Sequence, residues 1–162
     1  MKEAKYKKIY QDNYPKVMRL CLGYTGGDES FSKDLAQETF VKIWEHLDRF
    51  RNESAIETWI YRITVNTCLA ALRKEKKSGS SIKLENLQLS DETSNSVNKE
   101  MMLSTLYACI DKLSVSNKAI ILLELEGLPQ QEIATIMGLK HEAIRTRIHR
   151  IKNQLTKCVH HE

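Results

Sequence analysis

Arg145, Thr146, His149, Arg150 and Lys152 fall on one face of a single predicted helix. Together they present guanidinium, hydroxyl, imidazole and ammonium groups to whatever that face meets. Arginines bond guanine edges or phosphates, and threonine and histidine reach bases or backbone. On the opposite side Ile144, Ile148, Ile151 and Leu155 recur at i, i+4, i+7 and i+11, the spacing of a buried stripe. An apolar back and a cation-rich front suit a helix that lies in the DNA major groove.

The elements needed to hold that helix precede it. In GLPQQEIATIMGLKHEAIRTRIHRIKNQL, residues 127–155, Glu132, Ile133, Ala134 and Ile136 make a short first helix. Ala134 is small enough for a close helix crossing, and Gly138 takes the positive φ that a tight turn requires. Helical hairpins with a glycine turn are common, and a basic face is often only solvated. Here the small residue, the glycine, the stripe and the polar front all sit at the offsets of a helix-turn-helix.

Composition sets the frame. The chain has 162 residues, 41% of them hydrophobic, with two prolines and six glycines, which favours an all-helical protein with packed cores. No segment approaches the ~20 apolar residues of a membrane span, so no membrane insertion is expected. MKEAKYKK lacks the apolar centre of a signal peptide, and a cytoplasmic location is expected. Cys21, Cys68, Cys109 and Cys158 are far apart, three of them inside apolar helical patterns, and read as buried free thiols. Cys158, His160 and His161 form a small cluster on what reads as a frayed tail, so no metal is assigned. With no nucleophile–base pair or phosphate loop in the sequence, neither an enzyme nor a cofactor is expected.

Net charge is only +4, but it is unevenly spread. Residues 1–77 hold 15 Lys and Arg against 11 Asp and Glu, residues 78–100 hold 2 against 4, and residues 101–162 hold 8 against 6. Two mildly basic lobes therefore flank an acidic connector. The connector, SGSSIKLENLQLSDETSNSVN at 78–98, reads as a flexible linker. Extended at ~3.3 Å per residue it spans up to ~70 Å, enough to let the lobes occupy separate surfaces. The pattern predicts helices near 2–12, 14–25, 30–47 and 56–76 before it, and near 99–112, 115–126, 130–137 and 141–156 after it. Pro15 suits a first helical turn, Ser114 a cap, and Gly127 a helix end. The fold class is thus all-α, with two small helical domains at 1–77 and 99–162.

Both halves resemble one family, in the same order and with the same gap. DLAQETFVKIWEHLDRF at 34–50 and TWIYRITVNTCLAALRK at 58–74 resemble the second conserved region of bacterial RNA polymerase sigma factors of the extracytoplasmic-function group. LSVSNKAIILLELEGLPQQEIATIMGLKHEAIRTRIHRIKNQL at 113–155 resembles the fourth. The resemblance implies a factor that binds core polymerase and directs promoter-specific initiation. Its implied partners are the coiled coil of the polymerase's largest subunit, the flap, promoter DNA and an anti-sigma factor.

Site roles follow from the same resemblance. Asp34, Gln37, Glu38, Lys42 and Glu45 would face core polymerase, with the carboxylates suited to arginines on a partner helix. The segment 48–57 matches the loop that captures a flipped base of the minus-ten element. Arg49, Arg51, Asn52 and Ser54 would serve there, with Arg62, Asn66, Arg73 and Lys74 near the melted strand. Trp59 reads as core, and Tyr61 is open between core and stacking roles. Lys140, His141, Glu142, Arg145, Thr146, His149 and Arg150 would read the minus-thirty-five element, while Arg147 at the edge of the buried face would touch phosphate.

The chain departs from the family pattern at several positions. Pro129 stands where a capping residue is usual, so the reciprocal capping box of Glu132 is lost. Lys140 replaces a small capping residue and adds a cation for phosphate, His141 and Glu142 replace a commoner Val-Gly-type pair, and Ala70 replaces a usual polar residue. Ile56 and Glu57 replace a usual aromatic and a usual basic residue beside the minus-ten loop. The same residues also fit a sigma-like adaptor that binds polymerase without reading DNA, or a stand-alone helix-turn-helix regulator.

Overall fold

A computed structural model describes residues 1–78 and 94–161, and every regular element among them is helical. Helices α1 (Lys2–Thr25), α2 (Glu29–His46) and α3 (Ile56–Ser78) build the N-terminal lobe, with a 3-10 turn at Leu47–Arg49 after α2. Helices α4 (Ser94–Asp111), α5 (Val115–Leu125), α6 (Gln130–Met137) and α7 (His141–His161) build the C-terminal lobe. Most of the expected linker at 78–98 lies outside the described residues. At its two ends, Ser78 closes α3 and residues 94–98 already belong to α4.

The first lobe closes on side chains spaced to one face of each helix. Val17, Leu20, Cys21 and Tyr24 of α1 meet Leu35, Ala36, Phe40 and Ile43 of α2 and Ile60, Val65 and Cys68 of α3. Sequence spacing predicts a break near residue 13, yet α1 runs unbroken through Pro15. A helical proline forfeits one backbone hydrogen bond, and burial on both sides of it, at Ile9 and at Val17 and Leu20, offsets that loss. Gly26 ends α1 in the left-handed conformation at φ 68°, and Asp28 then caps α2 by accepting from the Phe31 N–H at 3.0 Å.

In the second lobe the stripe Ile144, Ile148, Ile151 and Leu155 is buried as its period predicts, and Gly138 turns the chain at φ 68°. Ser114 caps α5 by accepting from the Asn117 N–H. The cysteines depart from expectation. Cys109 of α4 and Cys158 of α7 form a disulfide, so only Cys21 and Cys68 are free buried thiols. The pairing arises because α4 and α7 pack together and bring the two Cα atoms within 6.0 Å, a separation a disulfide spans.

The lobes are in contact, where the sequence allows them to sit apart. The reason lies in α5, where six consecutive residues, Lys118 to Leu123, are all buried. One side of α5 packs on α7, and the other needs a second surface, which α1 and α3 supply. No helix among the described residues is long and apolar enough to cross a membrane.

Candidate nucleic-acid interface

The polar face of α7, expected from the sequence to read DNA, is open. His141, Glu142, Arg145, Thr146, His149 and Arg150 are all exposed, as is Lys140 just before them. Their support is the buried isoleucine stripe behind, which fixes how the helix rolls. Two members of the basic set are engaged within the lobe instead. Arg147 donates to the Ser116 hydroxyl at 3.0 Å, and Lys152 lies 3.5 Å from a Glu124 carboxylate oxygen. Arg147 therefore braces α7 on α5, although its sequence position suggests a phosphate contact.

A second cluster forms around the segment joining α2 to α3. A cavity of about 340 Å³ is lined by Arg49, Phe50, Arg51, Glu53, Ser54, Trp59 and Arg62 of the N-terminal lobe and by Thr135 of α6. Of the expected minus-ten residues, Arg49, Arg51, Ser54 and Arg62 converge there. Asn66, Arg73 and Lys74 instead lie exposed farther along α3. Asn52 is exposed at the turn with φ 59°, a conformation asparagine tolerates better than most side chains. Trp59 packs against the core as expected but is only half-buried: its ring lies tilted 5.0 Å from that of Phe50 between centroids, and its exposed part forms a cavity wall. An aromatic wall beside three guanidinium groups offers stacking and charge to an unstacked base and its phosphates.

The start of α1 braces this loop. The Lys2 ammonium lies 3.0 Å from Asp48 and 4.2 Å from the centroid of the Trp44 ring. On α2, Asp34, Gln37, Glu38 and Glu45 are exposed along one face. Lys42 is half-buried, its ammonium 3.4 Å from Glu38 and 3.4 Å from the Thr67 hydroxyl. It orients a carboxylate on that face more than it extends the face itself.

The seam between the lobes was not legible from the sequence. Arg19 of α1 donates through Nε and Nη2 to the two carboxylate oxygens of Glu126, each at 2.9 Å. Glu126 also accepts from the Tyr61 hydroxyl at 3.4 Å. Tyr61 is only 5% exposed and so sits in the seam, where burial, reinforced by Glu126, pushes its phenol up to about 12. Thr58 of α3 donates to Glu132 of α6 at 2.7 Å. Pro129 precedes α6 without a side-chain cap, so Glu132 is left to reach across the seam. Lys118, only 6% exposed, donates to Asp111 at 2.8 Å and to the Tyr24 carbonyl at 3.3 Å. Opposite it, Gly23 leaves no room for a β-carbon against Leu122. The one advance signal was the run AIILL at 119–123, five consecutive apolar residues that face every side of the helix and so need two covered faces.

The two free thiols are buried together. Cys21 and Cys68 lie 3.8 Å apart, and their hydrogen bond and burial push the Cys68 thiol well up, so it stays protonated.

Comparison with known proteins agrees with the all-helical, two-lobed fold. Residues 9–78 match the sigma-70 region 2 family and residues 103–155 match the sigma-70 region 4 family. The chain is 35% identical over 146 residues to the ECF RNA polymerase sigma-E factor of Escherichia coli K12, covering 78% of this chain and 72% of that one. It is 29% identical over 154 residues to the RNA polymerase sigma factor YlaC of Bacillus subtilis, covering 92% and 88%. Among solved structures it resembles the sigma factor RpoE bound to the anti-sigma factor NepR from Bartonella quintana. That match has a TM-score of 0.79 and 20% identity over 96% of both chains. It also resembles CnrH in complex with the cytosolic domain of CnrY, with a TM-score of 0.72 and 20% identity over 99% and 90%.

Proposed function

Because the chain belongs to the RNA polymerase sigma factors of the extracytoplasmic-function type, we propose a division of labour among its surfaces. The exposed face of α2, with Asp34, Gln37, Glu38 and Glu45, docks on the coiled coil of the largest polymerase subunit, and Lys42 holds Glu38 in place. The cavity beside the α2–α3 loop takes a base flipped from the minus-ten element. Arg49, Arg51, Asn52 and Ser54 surround that base, and Arg62, Asn66, Arg73 and Lys74 track the strand. The face of α7 from His141 to Arg150, with Lys140, reads the minus-thirty-five element.

The observation that carries this reading is the convergence of Arg49, Arg51 and Arg62 with Trp59 on one cavity. Three cations and an aromatic wall suit a single strand whose bases are unstacked. Each lobe alone has a small, mildly charged footprint, so each contact is weak and salt-sensitive. Docking on core polymerase, including the flap, holds both lobes at promoter spacing and lets two weak contacts add through effective concentration. No catalytic residue is needed, since the polymerase carries the chemistry, and no cofactor enters the scheme. The protein acts where the polymerase is, in the cytoplasm. An anti-sigma factor is a further partner, by analogy with the bound states of the two structural neighbours.

Run-off transcription with purified core polymerase on a promoter pool tests the reading. Initiation from templates sharing a bipartite sequence, only when this protein is added, is the expected result. Core binding without initiation leaves a sigma-like adaptor, and no core binding overturns the assignment of α2.

A further inference from the structure

We propose that Cys109–Cys158 is a reversible thiol–disulfide site whose redox state sets how firmly the helix-turn-helix is held. The chemistry stands on the geometry of the pair. Its use in transcription rests on the sigma reading, which puts α7 on DNA and the protein in the cytoplasm.

The two cysteines enclose one unit. Cys109 lies in the last turn of α4, just ahead of α5, and Cys158 follows Leu155, the last buried residue of the α7 stripe. The loop closed by the bond therefore holds all of α5 and α6 and the polar face of α7. A tie of this kind acts on the unfolding of what lies inside its loop. Units below about 70–80 residues rarely draw enough stability from a core alone, so a staple matters to them. Past Leu155, up to His160, only Cys158 and Val159 are even partly buried, and the bond fastens that end to α4. The acidic face of α2 lies outside the loop, so breaking the bond leaves it in place.

Access decides which sulfurs react. Cys21 and Cys68 lie 3.8 Å apart but are both 0% exposed, so reagents reach them only through unfolding. Cys109 is 2% exposed, whereas Cys158 is partly open. An incoming thiol therefore meets the bond at the Cys158 Sγ. In a cytoplasm, disulfides that form are usually transient and redox-sensing.

Both directions balance. The thiolate of a dithiol or of glutathione attacks the Cys158 Sγ, the S–S bond breaks, and Cys109 leaves as a thiolate that takes up a proton. A second reductant thiol then attacks the mixed disulfide, frees Cys158 and departs as the reductant's own disulfide. Hydrogen peroxide restores the bond. The Cys158 thiolate attacks it, the O–O bond breaks, and a sulfenic acid and hydroxide form. The Cys109 sulfur then displaces the sulfenic oxygen, so two thiols and one peroxide give the disulfide and two waters.

The full chain, prepared oxidised or reduced, tests the site. After millimolar reduced glutathione, alkylation and mass spectrometry are expected to find Cys109 and Cys158 labelled together. Brief hydrogen peroxide should protect both again, while Cys21 and Cys68 stay unlabelled throughout. A bond that resists glutathione, or oxidation of Cys21 and Cys68 at the same rate, would overturn the proposal. Amide hydrogen exchange in α5 to α7 should be about tenfold faster or more in the reduced chain, with α2 unchanged. Cys158→Ser should match the reduced chain in either buffer. Equal exchange in both forms would show that the bond holds nothing, and would overturn the control. Each form, freed of reagent and mixed with untreated core polymerase, then reads the consequence. The reduced chain should capture core equally but initiate several-fold less, and equal initiation would overturn redox control of reading. Initiation by neither form, with exchange still different, would overturn the sigma reading and leave the redox site standing.

Discussion

Glu126 and Arg19 stand 107 residues apart in the chain, yet both guanidinium bonds to the carboxylate are 2.9 Å long. The pair is asymmetric: the Glu126 side chain is 11% exposed and that of Arg19 is 53% exposed. The fork therefore lies at the rim of the seam, where water screens it on the arginine side.

That position sets the size of its effect. Arg19→Ala should cost about 0.5–1 kcal/mol of stability in urea unfolding, and the difference should shrink in high salt. Glu126→Ala should cost more, because it also strands the Tyr61 hydroxyl. Equal losses for the two variants would show that the Tyr61 contact contributes nothing.

Alkaline pH tests the same corner of the seam. The Tyr61 phenol is pushed up to about 12 in the folded chain, from an ordinary value of 10.0. A group raised in this way lends its full stability below pH 10 and loses it as pH climbs through about 12. Tyr61→Phe should therefore lose less stability between those two values than the parent. Tyr24 and Tyr107 are raised as well, chiefly by burial, so part of the alkaline loss should survive in the variant.

The Cys109–Cys158 disulfide closes a sequence separation of 49 residues. Constraint of the unfolded chain by a loop of that length is worth about 2–4 kcal/mol. Thermal melts should fall on adding a thiol reductant, and Cys158→Ala should melt low with and without it. A parent melt indifferent to reductant would show that the bond contributes nothing to stability.

The two exposed faces give mirror-image outcomes in transcription. Arg145→Ala should weaken minus-thirty-five-dependent initiation by about 1–3 kcal/mol in promoter affinity while sparing core binding. Glu38→Lys should weaken capture of core polymerase and leave α7 untouched, since Glu38 contacts Lys42 on its own helix. Equal loss of both activities in either variant would sink that variant's role.

The sequence by itself determined most of the helices, though not the unbroken course of α1 through Pro15 or the start of α4. It also determined the turn at Gly138, the cap at Ser114 and the buried stripe from Ile144 to Leu155. Each depends on neighbours within a turn or two, so periodicity and local backbone chemistry reveal it. The open cations of α7 were legible for the same reason, because a buried stripe dictates what its reverse side exposes. Only the tertiary structure decided the partners of Cys109, Arg19, Thr58 and Lys118, the use of Trp59 as a cavity wall, and the contact of the lobes. Those pairings join residues that no local pattern brings together. They form because the middle of α5, Ala119 to Leu123, is apolar on every side and needs a second covered face, a demand visible in the sequence without any indication of which surface would meet it.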